Sequence, residues 1–321
     1  MDQSAEAEDL VFERMDGIGR ITFNRPQARN AFTFAMYERL AAICEEANRD
    51  HSLKVLVLRG AGDKAFASGT DINQFREFKT PQDAINYENR IDRVLTTLEQ
   101  CRVPTIAAIN GFCTGGGAGI AAACDLRIGT RSAKIGFPIA RTLGNCLSMS
   151  NVSRLTALIG SARVKDLIFT ARLVDAAEAA SVGLLGEVVE DLSALDRRAD
   201  EVARLLASHA PLTLTATKQA VARLQRQLTR DEGGRPHSDV LHEPGFSRRA
   251  RCFPQQARAA VARSIGQADA KRSIAIHLPP FGPACRPQGH RSHPRHGRAD
   301  LHLDARRYGR RRHQDREMAE R

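Results

Sequence analysis

Asn110-Gly111-Phe112-Cys113-Thr114-Gly115-Gly116-Gly117-Ala118-Gly119 decides how the rest of the chain is read. Pro104 and the apolar run Thr105–Ile109 precede it, and Ile120-Ala121-Ala122-Ala123 follows. A short apolar run behind a proline predicts a buried strand, and the alanine-rich run predicts a helix. The order is therefore strand, glycine-rich turn, helix start. Glycines let a backbone approach a ligand closely. A helix N-terminus adds N–H groups without intrahelical acceptors and a partial positive charge. Such a turn suits a phosphate or a developing oxyanion. No Gly-Lys-Ser/Thr follows, so it is not a P-loop.

Lys64-Ala65-Phe66-Ala67-Ser68-Gly69-Thr70-Asp71-Ile72 also follows a strand-like run, Val55-Leu56-Val57-Leu58, and precedes a helical segment. Two strand-to-helix turns, each presenting a backbone N–H, can converge on one carbonyl oxygen. A third stretch, Asn24-Arg25-Pro26-Gln27-Ala28-Arg29-Asn30-Ala31, lies near the start. In order and spacing the three together resemble the crotonase superfamily, the enoyl-CoA hydratase/isomerase family, from about Val11 to about Leu228. The resemblance implies an α/β fold: a spiral of ββα turns over residues 8–190, then C-terminal helices over 191–230 that assemble trimers or dimers of trimers.

The residues agree with that class on their own. Asp16-Gly17 between Leu10–Arg14 and Gly19–Phe23 is a hairpin signal. Met36, Leu40, Ile43, Cys44 and Ala47 fall at helical spacing behind Thr33, a candidate N-cap. Asp83 to Leu98 has its own stripe: Ile85, Ile91, Val94, Leu95 and Leu98. Asp125 to Ile128 reads as a strand, Val152 to Ile159 as a helical face, and Asp175 as the cap of a short helix ending near Gly183. Glu187–Val189 reads as a strand. Arg198–Leu206 and Leu212–Leu228 read as helices, the second opened by Pro211. Strands alternating with helices imply a parallel sheet.

The chain has 321 residues and a net charge of +11. Residues 231–321 carry 19 Lys+Arg and 10 Asp+Glu, or +9, leaving 29 basic and 27 acidic residues, or +2, for the first 230. The basic charge therefore belongs to the tail, and nucleic-acid binding is an alternative function only through it. No run is apolar enough to span a membrane, and the polar start lacks signal character, so a cytoplasmic protein is expected. The seven cysteines include no Cys-x-x-Cys and read as small buried hydrophobes, Cys44, Cys101 and Cys124 first. No metal is expected; His290, His293 and His296 lie in the tail without a scaffold.

Beyond Leu228 the resemblance stops. Residues 231–321 are rich in Arg, His, Pro and Gly without helical or strand period, and disorder is expected. Codons permitted for Gly245–Arg249, read one base out of frame, can encode Asp-Phe-Arg-Glu-Gly. The same shift lets Cys252–Ala257 read Ala-Phe-Leu-Ser-Lys-Arg. Both are endings typical of the family, so the tail reads as out of frame.

The resemblance also implies chemistry. Such enzymes act on acyl thioesters of coenzyme A, which is part of the substrate, and no separate cofactor is expected. By motif position, the oxyanion donors are the N–H groups of Ser68 and Gly116, expected to point at one place about 3 Å from both. The coenzyme would pass Gln27, Ala28 and Arg29 on one side. On the other it would meet Ala65, Ala67, Gly69, Thr70, Asp71 and Ile72, with Gly115 and Gly117 flanking the hole. Gln27 stands where the family often has Lys. Asp71 has a second role open to it, capping the helix that follows. Hydratases of the family use two glutamates, which hold water and move its protons. Here those positions are Gly119 and Ile139, and no Asp or Glu occurs from Leu126 through Lys165. Standard two-glutamate hydration is therefore not expected. Enolate stabilisation alone, as in decarboxylation, a reaction such as isomerisation whose proton a non-carboxylate carries, and acyl-CoA binding without turnover all stay open. Arg141, Thr142, Asn145, Cys146, Ser148, Ser150 and Asn151 remain as polar groups, and no His between His51 and His209 is available to activate a Cys or Ser.

Overall fold

The computed structural model describes residues 8–77, 80–142 and 146–230. The expectations for 231–321, its disorder, its shifted frame and its nucleic-acid binding, lie outside the described residues, as does Asn145.

In chain order the elements are β1 (Leu10–Met15), β2 (Ile18–Phe23), a 3-10 turn (Pro26–Ala28), α1 (Phe34–Arg49), β3 (Val55–Gly60), β4 (Ala65–Ala67) and a second 3-10 turn (Ile72–Glu77). Then come α2 (Pro81–Glu99), β5 (Thr105–Ile109), β6 (Phe112–Thr114), α3 (Gly116–Ala123), β7 (Leu126–Thr130) and β8 (Lys134–Gly136). The chain closes with α4 (Ile139–Thr142), α5 (Met149–Thr170), β9 (Val174–Asp175), α6 (Ala176–Ser181), β10 (Glu187–Val189), α7 (Leu192–Ser208) and α8 (Pro211–Arg230).

Local chemistry places many of these boundaries. Asp16 and Gly17 both take positive φ, 54° and 77°, which matches a two-residue hairpin turn to strand twist. Thr33 caps α1 by accepting from the Met36 N–H. Thr80 and Asp83 form a reciprocal capping box on α2. Asp175 caps α6 and Asp191 caps α7, so α7 begins six residues before the apolar stripe that announced it at Arg198. Gly160, at φ 76° and ψ 154°, breaks α5 into two segments.

Two sheets organise the fold. The first runs β1-β2-β3-β5-β7-β10, antiparallel at β1/β2 and parallel beyond. Side chains alternate across it. Leu56, Leu58, Ala107 and Ile109 face the main core with Leu40, Ile43, Leu95 and Leu98. Val55, Val57, Ile106 and Ala108 face α7 through Leu195, Ala199 and Ala203. Burying Leu195 contributes about 1.5–3 kcal/mol, and the two alanines let α7 lie close to the strands. The boundary expected near residue 190 precedes α7, which nonetheless completes the core.

The second sheet, β4-β6-β8-β9, is built from strands of two or three residues. Such strands are too short to show a period. This corrects the reading of Lys64–Ile72 and Asn110–Gly119 as turns alone: each contains a strand, and β4 lies parallel to β6. It also corrects the helix start, because α3 begins at Gly116 inside the glycine run. A spiral of strands and helices followed by α7 and α8 is the crotonase-like fold. Among the described residues no helix is long and apolar enough to cross a membrane, and no cluster of His, Cys, Asp and Glu could hold a metal. Cys44, Cys101, Cys113 and Cys124 are buried.

Candidate active site

The three sequence motifs meet. Phe32 N–H donates to Gly69 O and Asp71 N–H to Phe32 O, each at 2.8 Å, which sews the first motif to the second. Phe112 N–H donates to Lys64 O at 3.0 Å, which sews the second to the third. Asn30, fully buried at φ 54°, holds the corner. Its Oδ1 accepts from Arg25 N–H at 3.0 Å, and its Nδ2 donates to Ala61 O at 3.0 Å and Ala65 O at 2.7 Å. Arg25 also pairs with Asp71 at 3.0 Å. Asp71 Oδ1 accepts from Asn73 N–H at 3.0 Å, so its capping role is present.

The turns touch through glycine. Gly69 has φ 98° and Gly115 has φ 53°, a backbone region that side chains disfavour. A Cβ on Gly69 would fall 3.9 Å from Gly116 N, and one on Gly117 only 2.3 Å from Ala67 O. Gly117, Ala65 and Ala67 are thus packing surface: the two alanines are at most 2% exposed, and they form the floor beneath the turn rather than the wall of the cavity. Gly116 opens α3, so its N–H has no acceptor within the helix.

A cavity of about 210 Å³ lies over this junction. Of the expected site residues, Ser68, Gly69, Thr70, Ile72, Gly115 and Gly116 line it. Ala28 and Arg29 stand behind Ser68, whose hydroxyl reaches Ala28 O at 3.4 Å. This corrects the expectation of a free Ser68 donor beside Gly116: the Ser68 N–H donates to Arg29 O at 3.1 Å. Arg29 itself is exposed and lies over the Phe112 ring, 5.4 Å from its centre.

Gly119 and Ile139, the positions of the family's two glutamates, both line the cavity. Leu95 occupies the space a side chain at 119 would enter: a Cβ there would lie 3.2 Å from Leu95 Cδ1 and 3.8 Å from Asn151 Oδ1. Ile139 is buried at 6% exposure. The remaining polar candidates are largely occupied elsewhere. The Ser148 and Ser150 hydroxyls donate to Asp92, and Ser148 caps α5. Arg154 Nη1 donates to Asn151 Oδ1 at 3.3 Å. Burial first, and then the Glu88 charge, push the Cys146 thiol up from its ordinary value, the wrong direction for a thiolate nucleophile. Asp125 accepts from Thr105 N–H at 2.7 Å and from Lys218 Nζ at 2.7 Å, so it braces β5 against α8.

Three residues outside the motifs complete the site. The hydroxyls of Tyr37, Thr70 and Tyr87 form a chain, with Tyr37–Thr70 at 2.9 Å and Thr70–Tyr87 at 2.7 Å. Burial raises both phenols well above the ordinary tyrosine value, so they act as neutral hydroxyls. The third is Glu88, which lines the cavity from α2 beside Ile91 and Leu95. Positions 88, 91 and 95 share one helical face. A carboxylate inside the apolar stripe of α2 was the sequence signal for it.

Known proteins are similar in sequence and in fold. The family model for enoyl-CoA hydratase/isomerase matches residues 13–246, past the Leu228 at which the motif resemblance ends. A short-chain-enoyl-CoA hydratase from Clostridium acetobutylicum is 35% identical over 218 residues, covering 68% of this chain and 82% of the relative. The crystal structure of an enoyl-CoA hydratase/isomerase from Xanthobacter autotrophicus Py2 superposes with a TM-score of 0.68 at 28% identity, covering 82% of this chain and 99% of that one. An enoyl-CoA hydratase/carnithine racemase from Magnetospirillum magneticum gives 0.66 at 30% identity, with 85% and 97% covered. With its fold, its three converging motifs and these matches, the chain belongs to the enoyl-CoA hydratase/isomerase family.

Proposed function

We propose that the chain binds an acyl-CoA thioester in the cavity over Ser68 and Gly116 and stabilises the enolate formed on it, without two-glutamate hydration. The observation that carries this reading is the junction of the two positive-φ turns, with Gly69 against Gly116 N at the cavity wall. Negative charge builds on the thioester oxygen as an enolate forms. A preorganised N–H donor there is typically worth about 3 kcal/mol. Gly116 supplies one such donor. Ser68, whose N–H is held by Arg29 O at 3.1 Å, ties the cavity wall to the 28–30 loop. The coenzyme then lies between that loop and Gly69–Ile72. Gly119 and Ile139 exclude the water-holding carboxylate pair.

Turnover assays separate this from a paralogue that only binds. Crotonyl-CoA hydration should run about 10² to 10⁴ below that of a two-glutamate relative, while a malonyl-type or 3-enoyl thioester is turned over. Hydration at an ordinary family rate would overturn the assignment of Gly119 and Ile139. Calorimetric binding of acyl-CoA without any turnover would favour the binding-only reading.

Association of copies through α8 belongs to the same reading. Val221 and Leu224, one turn apart on α8, are 50% and 65% exposed, apolar side chains that a homotrimer contact would cover. Light scattering of the pure protein tests it.

A further inference from the structure

The two carboxylates expected of a hydratase are absent from Gly119 and Ile139, yet the cavity is not without a carboxylate. Among the described residues that wall it, Glu88 is the one acid. It arrives from α2, on the same face as Ile91 and Leu95, while α3 and α4 bring Gly116, Gly119 and Ile139 to the same cavity. Glu88 is half-buried there, beside Tyr87, Ile91 and Leu95 of the same helix on the cavity wall.

We infer that Glu88 is the acid–base residue of this cavity, a carboxylate carried on α2 in place of the two absent from α3 and α4; the inference rests on the acyl-CoA reading above. Its neighbours suit that role. The phenols of Tyr37 and Tyr87 are held protonated by burial, with the Glu88 charge adding to the effect, so neither competes with it as a base. Cys146 is pushed up by burial and by the same charge and also stays protonated.

The step balances without a co-reactant. On a 3-enoyl thioester the Glu88 carboxylate takes a proton from C2. The C–H electron pair moves into the thioester, and the dienolate oxygen is held by the N–H group of Gly116. The neutral Glu88 acid then gives the proton to C4. A C2–C3 double bond forms, the C3–C4 double bond becomes single, and the carboxylate is restored. On a saturated thioester the same group removes and returns the C2 proton, which solvent deuterium can report.

Butyryl-CoA in D₂O, followed by proton NMR, is the probe, with calorimetry for binding and a thermal melt for folding. The wild type should exchange its C2 protons. Glu88→Gln should bind butyryl-CoA within about threefold of the wild type and lose exchange by about 10² to 10⁴. Glu88→Ala should recover part of the exchange on addition of formate, which a purely structural role would not produce. Exchange at the wild-type rate in either variant overturns the proposal. So does a wild type that binds butyryl-CoA and exchanges nothing. A wild type that binds no butyryl-CoA sinks the acyl-CoA reading together with it.

Discussion

The hydroxyl of Tyr37 stands where a side chain on Gly116 would begin: a Cβ built there falls 2.1 Å from Tyr37 Oη. Glycine at 116 is therefore set by a tyrosine on α1, seventy-nine positions earlier, and not only by the turn. Gly116→Ala should cost about 1–3 kcal/mol through overpacking. Tyr37→Phe should cost about 1 kcal/mol through its lost bond to Thr70. Because the second change makes room for the first, the double variant should cost clearly less than the sum. Urea denaturation of the four proteins checks it; plain additivity would show that Tyr37 is not the obstacle.

Asn30 is the clasp of the first motif. Asn30→Ala removes three hydrogen bonds, to Arg25 N–H, Ala61 O and Ala65 O, and places alanine at φ 54°. A loss of about 2–4 kcal/mol is expected from bonds worth about 0.5–1.5 each plus the stranded groups. Weaker acyl-CoA binding should accompany it, because Arg29 O, the acceptor of Ser68 N–H, lies one residue away. A denaturation midpoint and a titration calorimetry run would show both effects; full affinity would detach the loop from the site.

Restoring hydration requires space as well as acids. Gly119→Glu with Ile139→Glu returns both carboxylates, but Leu95 Cδ1 stands 3.2 Å from the Cβ at 119. Adding Leu95→Ala should raise crotonyl-CoA hydration by about tenfold or more over the double variant, a part of the 10² to 10⁴ that a positioned acid or base contributes. The loss of enoyl absorbance measures it. Equal rates in the two would mean that Leu95 does not limit the pocket.

Arg172 joins the end of α5 to α6 through Asp166 and Glu178. Its guanidinium holds both carboxyls below their ordinary values of 3.8 and 4.5. A carboxylate with a depressed folded value stabilises fully above its unfolded value and loses that contribution as pH falls through the folded one. Arg172→Met should therefore be less stable than the wild type at pH 7, with the gap closing at acid pH below those values. Thermal melts across pH 2–7 follow it. A gap that persists at the acid end would assign Arg172 a packing role.

Much of the fold was legible in the sequence because its signals are local. The Asp16-Gly17 hairpin, the Thr33 and Asp175 caps and the stripes of α1 and α2 each depend on a few neighbouring residues. The motifs located Ser68, Gly69, Thr70, Ile72, Gly115 and Gly116, all on the cavity wall. They also showed that Gly119 and Ile139 carry no acid, since identity needs no coordinates.

What the tertiary structure alone decided is pairing across distance. The four-stranded sheet is assembled from strands too short for a period, and hydrogen bonds such as Phe112–Lys64 and Phe32–Gly69 bring the motifs together. Ser68 N–H looks like a free donor in the motif, yet Arg29 O takes it. Tyr37 sets the glycine at 116 from another helix, and Glu88 enters the cavity from a third element. A sequence records which groups a chain owns and how they repeat. Which of them desolvate one another is settled by packing between segments tens of residues apart, as at Tyr37 and Tyr87, whose phenols burial holds protonated.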